Sequence, residues 1–129
     1  MITPDVKATI QKLSRLAPLH NPINLEGIDI AEALFPKANQ IGIFDTAFHV
    51  TMPEVAWTYP GPWEWRDEGI RRYGFHGISH QYCTERVQDL LKTNPKKLIT
   101  CHLGNGSSCA AVLNGKVIDT TMGFTPMEG

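Results

Sequence analysis

The residues Cys101-His102-Leu103-Gly104-Asn105-Gly106-Ser107-Ser108 hold the densest chemistry in the chain. Two glycines flank an asparagine and two serines follow, so backbone N–H groups and small hydroxyls can converge on one point. Loops of that kind cradle phosphate oxygens. The same residue types also make ordinary polar turns that bind nothing, so the loop alone leaves both readings open. Two further positions carry chemistry. Asp45 directly follows the predicted buried strand Ile41 to Phe44. Its carboxylate therefore sits where ligands gather in open α/β sheets, or else caps the next turn. His76 stands in Tyr73-Gly74-Phe75-His76-Gly77, between glycines that let a ligand approach the backbone closely. His80 is four residues from His76 but lacks the Glu of an HExxH zinc motif, so no metal site is expected there. His49 and His80 read as satisfied polar residues rather than catalysts.

Alternating helix and strand signals must position these groups. Thr3-Pro4-Asp5 reads as an N-cap with proline in the first turn, opening a helix to about Arg15. Asn24 to Leu34 has apolar residues at helical spacing and is closed by Pro36. Met52 to Arg66, rich in proline, glycine and tryptophan, predicts an ordered aromatic loop with one helical turn. Ile70 to Tyr73 reads as a strand. Ser79 is the expected cap of a helix to about Lys92, with Tyr82, Val87, Leu90 and Leu91 as its buried face. Beyond Asn94-Pro95 come three strand signals: Leu98 to Thr100, Ser107 to Leu113, and Lys116 to Asp119. Asn114-Gly115 joins the last two, a strong hairpin signal because a type I′ turn needs positive φ at both central residues.

Composition narrows the function class. Twelve basic and thirteen acidic side chains give a formal charge of −1, which offers nucleic acid no electrostatic footprint. No basic stripe suits a membrane surface, and no apolar run approaches a bilayer span. The segment Met1 to Asp5 lacks a signal-peptide shape. Three cysteines, Cys83, Cys101 and Cys109, without CxxC spacing read as small buried hydrophobes in a reducing, cytoplasmic setting.

Five blocks in order, LAPLHNP at Leu16 to Pro22, FDTAFH at Phe44 to His49, RRYGFHGISH at Arg71 to His80, ITCHLGNGSS at Ile99 to Ser108 and MGFTPMEG at Met122 to Gly129, resemble the acetate and propionate kinase family. The resemblance covers nearly the whole chain, yet only about the middle third of a family member. It implies an α/β fold of the ribonuclease-H-like, actin-like kinase type. Residues 1–95 would be the C-terminal part of the first, acyl-substrate domain. Residues 96–129 would be the opening β-strands and phosphate loop of the second, nucleotide domain. The implied reaction is transfer of the γ-phosphoryl group of ATP, with Mg²⁺, to acetate. A one-methylene difference is weakly discriminated, so a propionate kinase remains the alternative, as does a non-catalytic truncated domain. The family also implies a homodimeric parent.

Carried over residue by residue, the resemblance makes Asp45 the catalytic aspartate, able to orient Mg²⁺ through water. His76 becomes the hydrogen-bond donor to the phosphoryl group in transit. Asn105 and Gly106 would contact the γ-phosphate, with His102, Leu103 and Gly104 shaping the turn. Leu19, Phe75 and Pro126 would wall the methyl site, and His20 would lie near the acyl group. For Leu19, Phe75 and Pro126 an ordinary core role is the competing reading.

The family's first phosphate loop, a downstream arginine and the adenosine pocket have no counterpart in residues 1–129. Losing even one preorganised transition-state donor costs about 10²–10³ in rate. The expected outcome is therefore no measurable acetyl phosphate from these residues alone. Turnover of acetate and ATP by the purified chain, abolished by Asp45→Ala, would overturn that expectation.

Overall fold

A computed structural model describes residues 1–128; Gly129, the last residue of the MGFTPMEG block, lies outside them. Two compact units divide the chain, Met1–Ile43 and Phe44–Gly129.

In the first unit, α1 spans Pro4–Leu13 and α2 spans Asn21–Leu34. Thr3 caps α1 as expected, its hydroxyl accepting the Val6 N–H at 3.3 Å. Helix α2 starts three residues before the predicted Asn24, because Pro22 fits its first turn, where an N–H would be unpaired anyway. Lys7 holds the two helices together by pairing with Asp29 and, at 2.7 Å, with Glu32. The predicted buried strand at Ile41 to Phe44 is not one: it joins no ladder and is exposed. β-prone residues become a strand only where a partner satisfies their backbone groups, and none of the described strands pairs with them.

The second unit is built on an antiparallel sheet in the order β1 (Lys97–Leu103), β2 (Ser107–Leu113), β3 (Lys116–Thr120). Asn114 (φ 51°) and Gly115 (φ 79°) both take positive φ, as the Asn-Gly signal requires. Alternation puts Leu98, Thr100 and His102 of β1 on the inner face, opposite Val112, Ala110 and Ser108 of β2. That face thus grades from apolar to polar along the strands. A bulge between Ala111 and Val112 brings both Val117 and Thr120 of β3 inward despite their odd spacing.

At the apolar end, Met52, Ala110, Val112 and Val117 form the core, with Phe48, Trp57 and Leu98 against it. A 3₁₀ turn, Ala47–Thr51, is fastened there by the Thr51 hydroxyl, which donates to the Val117 carbonyl at 2.8 Å. The aromatic loop contains two single helical turns, α3 (Glu54–Trp57) and α4 (Glu64–Asp67), where one was expected. Arg72 ties the following segment to β3, donating to the Thr120 carbonyl at 2.9 Å. Ile70 to Tyr73 runs without a ladder, contrary to the strand prediction.

Helix α5, Gly77–Leu91, packs across β1. Its buried residues are Gly77, His80 and Thr84, not the predicted Tyr82, Leu90 and Leu91, which are exposed. Spacing identified the helix, but the face that meets the sheet is small and polar because it packs on the polar end of the sheet's inner face. The cysteines also depart from expectation. Cys101 is exposed, and its Sγ lies 3.5 Å from that of Cys109 across the β1–β2 pair, on the outer face.

Val117 is fully buried at the centre of the core. Val117→Ala should therefore destabilise the protein by roughly 2 kcal/mol, from two lost methyl contacts plus the residual cavity. The denaturant midpoint checks this, with an unchanged m-value expected.

Candidate active site

The start of α5 organises the site. The residue before it, His76, adopts a left-handed conformation (φ 57°, ψ 22°) that few non-glycine residues take. Asp45 holds it there with two contacts. Its Oδ2 accepts the His76 N–H at 2.7 Å, and its backbone carbonyl accepts the Gly77 N–H at 2.9 Å. A side chain at Gly77 would place Cβ 2.2 Å from that carbonyl oxygen, so only glycine permits the approach. Ser79, the expected cap, does not cap the helix; its hydroxyl instead bonds Nδ1 of His102 at 2.9 Å.

Four histidines gather where α5 crosses the sheet. The His76 ring stacks on His102 with centroids 4.0 Å apart and planes 23° from parallel. Nδ1 of His76 and Nε2 of His80 each lie 2.9 Å from the Ser108 hydroxyl, and Nδ1 of His80 lies 2.8 Å from the Thr100 hydroxyl. His49 packs edge-on against His80. Its Nε2 donates to the Phe75 carbonyl at 2.9 Å, while its buried Nδ1 has no partner. Gly74 (φ 70°) allows this, since a Cβ there would fall 2.7 Å from the His49 ring. His80 is therefore the satisfied buried polar residue that its sequence context suggested, and His49 is only half satisfied.

The glycine turn closes over the same place. Gly104 N–H donates to the Gly106 carbonyl at 3.1 Å. A Cβ on Gly106 would sit 3.1 Å from Pro126 and 3.3 Å from Cε1 of His76. The absent side chain leaves a cradle bordered by the His76 ring and the Pro126 ring. Leu103, Gly104 and Asn105 are exposed at its rim. The second unit thus brings together Asp45, His76, His102, Gly106 and Pro126, with Phe75 next to His76 and half-buried. Leu19 and His20 belong to the first unit, where Leu19 is exposed and His20 precedes α2 without a side-chain cap bond. A separate cleft of about 230 Å³ lies in the aromatic loop among Trp57, Tyr59, Trp63, Trp65 and Ile70, and no histidine lines it.

Sequence reasoning did not foresee Ser108, Thr100 and Ser79 as partners of the histidines. Only the i, i+4 spacing of His76 and His80 hinted at it, by placing both rings toward one side of the same helix. The hydroxyl partners come from strand register, which pairs His102 with Ser108 and Thr100 with Ala110.

A family model described as the Acetokinase family matches residues 1–129. The chain is similar to the acetate kinase of Gloeobacter violaceus, 62% identical over 131 residues that cover 99% of this chain and 32% of the relative. It is 60% identical over 130 residues to that of Cyanothece sp. (strain PCC 7425), again covering 99% of this chain and 32% of the relative. Among solved structures, Porphyromonas gingivalis acetate kinase superposes with a TM-score of 0.91 at 47% identity, covering 99% of this chain and 33% of that one. A propionate kinase from Francisella tularensis gives 0.90 at 45% identity, covering 98% and 33%. The chain spans about a third of the length of the curated relatives it matches.

Burial, reinforced by the neighbouring His49, His76 and His102, holds the His80 imidazole at about 4, with Asp45 opposing only weakly. Burial likewise lowers His49, and burial with the stacked His102 lowers His76. Between the unfolded value of about 6.5 and the folded one, the unfolded chain binds more protons. Stability should therefore be full above about pH 6.5 and decline as pH falls toward 4. Chemical denaturation across that range checks it, and the His80→Gln variant should lose its share of the slope.

Proposed function

The chain belongs to the acetokinase family and carries part of its ribonuclease-H-like, actin-like kinase fold, and from that premise we propose that the full-length protein transfers the γ-phosphoryl group of ATP to acetate. The observation that supports this best is the convergence of the Asp45–His76 pair, the Gly106 cradle and Pro126 in one place. In this reading residues 1–95 end the acyl-substrate domain and residues 96–129 open the nucleotide domain. The full-length protein acts in the cytoplasm as a homodimer.

Phosphoryl transfer asks a protein for alignment, neutralisation of the equatorial oxygens and exclusion of water more than for covalent chemistry. The turn His102 to Gly106 receives the γ-phosphate, with Asn105 and Gly106 as its contacts. His76 donates a hydrogen bond to the oxygens that gain charge during transfer. Asp45 fixes the backbone from which His76 projects and positions the acceptor carboxylate. By the family pattern, Leu19, Phe75 and Pro126 are the residues that wall the methyl group, and His20 is the one near the acyl group. Among the described residues no three His, Cys, Asp or Glu side chains gather as a metal-holding group. Bound with the nucleotide, Mg²⁺ would supply neutralisation of the phosphate charge, and Asp45 is the residue that would hold it, through water.

Charge develops on the phosphoryl oxygens only during transfer, while the methyl group is equally buried throughout. In the full-length enzyme, Asp45→Ala and His76→Ala should lower kcat and kcat/KM together, with the acetate KM changing less. Phe75→Ala should mainly raise the acetate KM or shift preference toward longer acids. Steady-state kinetics with acetate and propionate decides it. A near-normal kcat in His76→Ala with a lost kcat in Phe75→Ala would reverse the assignment.

A further inference from the structure

We propose that the hydroxyls of Thr100 and Ser108, linked through the buried imidazole of His80, set the tautomer of His76 so that its Nε2 carries the proton. Thr100, His80 and Ser108 are positioning residues for His76, and the inference rests on the functional reading above. The argument is a count of hydrogens. The Ser108 hydroxyl has one proton and two imidazole neighbours, Nδ1 of His76 and Nε2 of His80, each at 2.9 Å. It is buried, so it must donate to one ring and accept from the other. His80 is neutral above about pH 4, so it too has one proton for two hydroxyl neighbours.

Two arrangements follow. In the first, the Thr100 hydroxyl donates to Nδ1 of His80, Nε2–H of His80 donates to Ser108, and Ser108 donates to Nδ1 of His76. Every hydroxyl and imidazole proton between Thr100 and Nδ1 of His76 then has an acceptor, and His76 is left with its proton on Nε2. In the second, every bond is reversed. His80 donates to Thr100, Ser108 donates to His80, and His76 donates to Ser108 from Nδ1. The Thr100 hydroxyl proton is then stranded, because Thr100 is buried and its hydroxyl makes no other side-chain or backbone bond among the described residues. An unpartnered buried donor forfeits its hydration with nothing in return, so the first arrangement prevails. Protonating His76 on both nitrogens would force the second arrangement, so the chain of bonds also favours the neutral ring.

The consequence is directional. With Nδ1 occupied by Ser108, the only N–H that the His76 ring can offer is Nε2–H, on the edge whose Cε1 borders the Gly106 cradle. A donor is what developing negative charge on a phosphoryl oxygen needs, whereas a lone pair there would repel it. His49 acts separately, since its proton is committed to the Phe75 carbonyl.

The test uses the full-length protein with ¹⁵N-labelled histidine, the His76 signals being assigned by their absence in His76→Gln. Long-range ¹H–¹⁵N correlations should show His76 protonated at Nε2 and unprotonated at Nδ1 near neutral pH. Thr100→Val removes the terminal hydroxyl at nearly constant shape and touches neither His76 nor substrate. It should shift His76 toward a mixture of tautomers and lower kcat by about tenfold, less than the 10²–10³ expected for deleting a donor outright. KM for acetate and ATP should change less, and Thr100→Ser should restore both readouts. Native His76 protonated at Nδ1, or a Thr100→Val protein whose His76 tautomer is unmoved, would overturn the proposal. A moved tautomer with an unchanged kcat would overturn its role in the reaction. Should the wild-type protein not phosphorylate acetate, the functional reading falls, while the correlations still decide the tautomer.

Discussion

Everything in the second unit that faces the cradle depends on two amide protons ending on one aspartate. Asp45 takes the His76 N–H on its side chain and the Gly77 N–H on its main chain. A left-handed residue costs free energy, of order 1 kcal/mol, and persists only where surrounding bonds over-determine it. The charge-assisted bond to the carboxylate does so here, and it does so at a helix N-terminus, where negative charge is already favoured. The same contact that shapes the backbone therefore aims the His76 ring at the sheet.

The sheet receives that ring because its inner face changes character along its length. At one end Leu98, Val112 and Val117 meet Met52 and Phe48 in an ordinary apolar core. One and two inward-facing pairs further along stand Thr100 with Ala110 and His102 with Ser108. Each hydroxyl there has an imidazole within 3 Å, so the polar end is buried without many unpaired groups. Of the two buried atoms left unpaired, Nε of Arg72 and Nδ1 of His49, the second belongs to the ring that braces Phe75 and, through its close approach, requires glycine at position 74.

What could be read from the sequence is what local chemistry dictates. Asn114-Gly115 gave the hairpin and Thr3-Pro4 the start of α1, because positive φ and N-capping are decided within a few residues. The α5 start was misplaced at Ser79, because its true geometry is imposed by Asp45 from more than thirty positions away. Apolar spacing likewise misidentified the buried face of α5, since Tyr82, Leu90 and Leu91 lie off the face that meets the sheet. The extended runs Ile41 to Phe44 and Ile70 to Tyr73 have strand composition without a ladder, and composition carries no information about partners. The blocks around Asp45, His76 and Gly104 to Gly106 marked the right neighbourhood, while the hydroxyls that connect its histidines emerge only from strand register.

The bulge opposite β3 also decides which strand of the hairpin can change length. Val117 and Thr120 both point inward only because the ladder slips between Ala111 and Val112. Deleting one residue between them would restore regular pairing and leave the core valine and the threonine beside Arg72 both inward, whereas deleting Ala111 from β2 would turn Ala110 and Val112 to opposite faces. A residue inserted in the exposed Pro60 to Trp63 stretch meets no such demand. Length variation is therefore admissible in the aromatic loop and at the bulge of β3 and inadmissible in β2, though all three belong to the same unit.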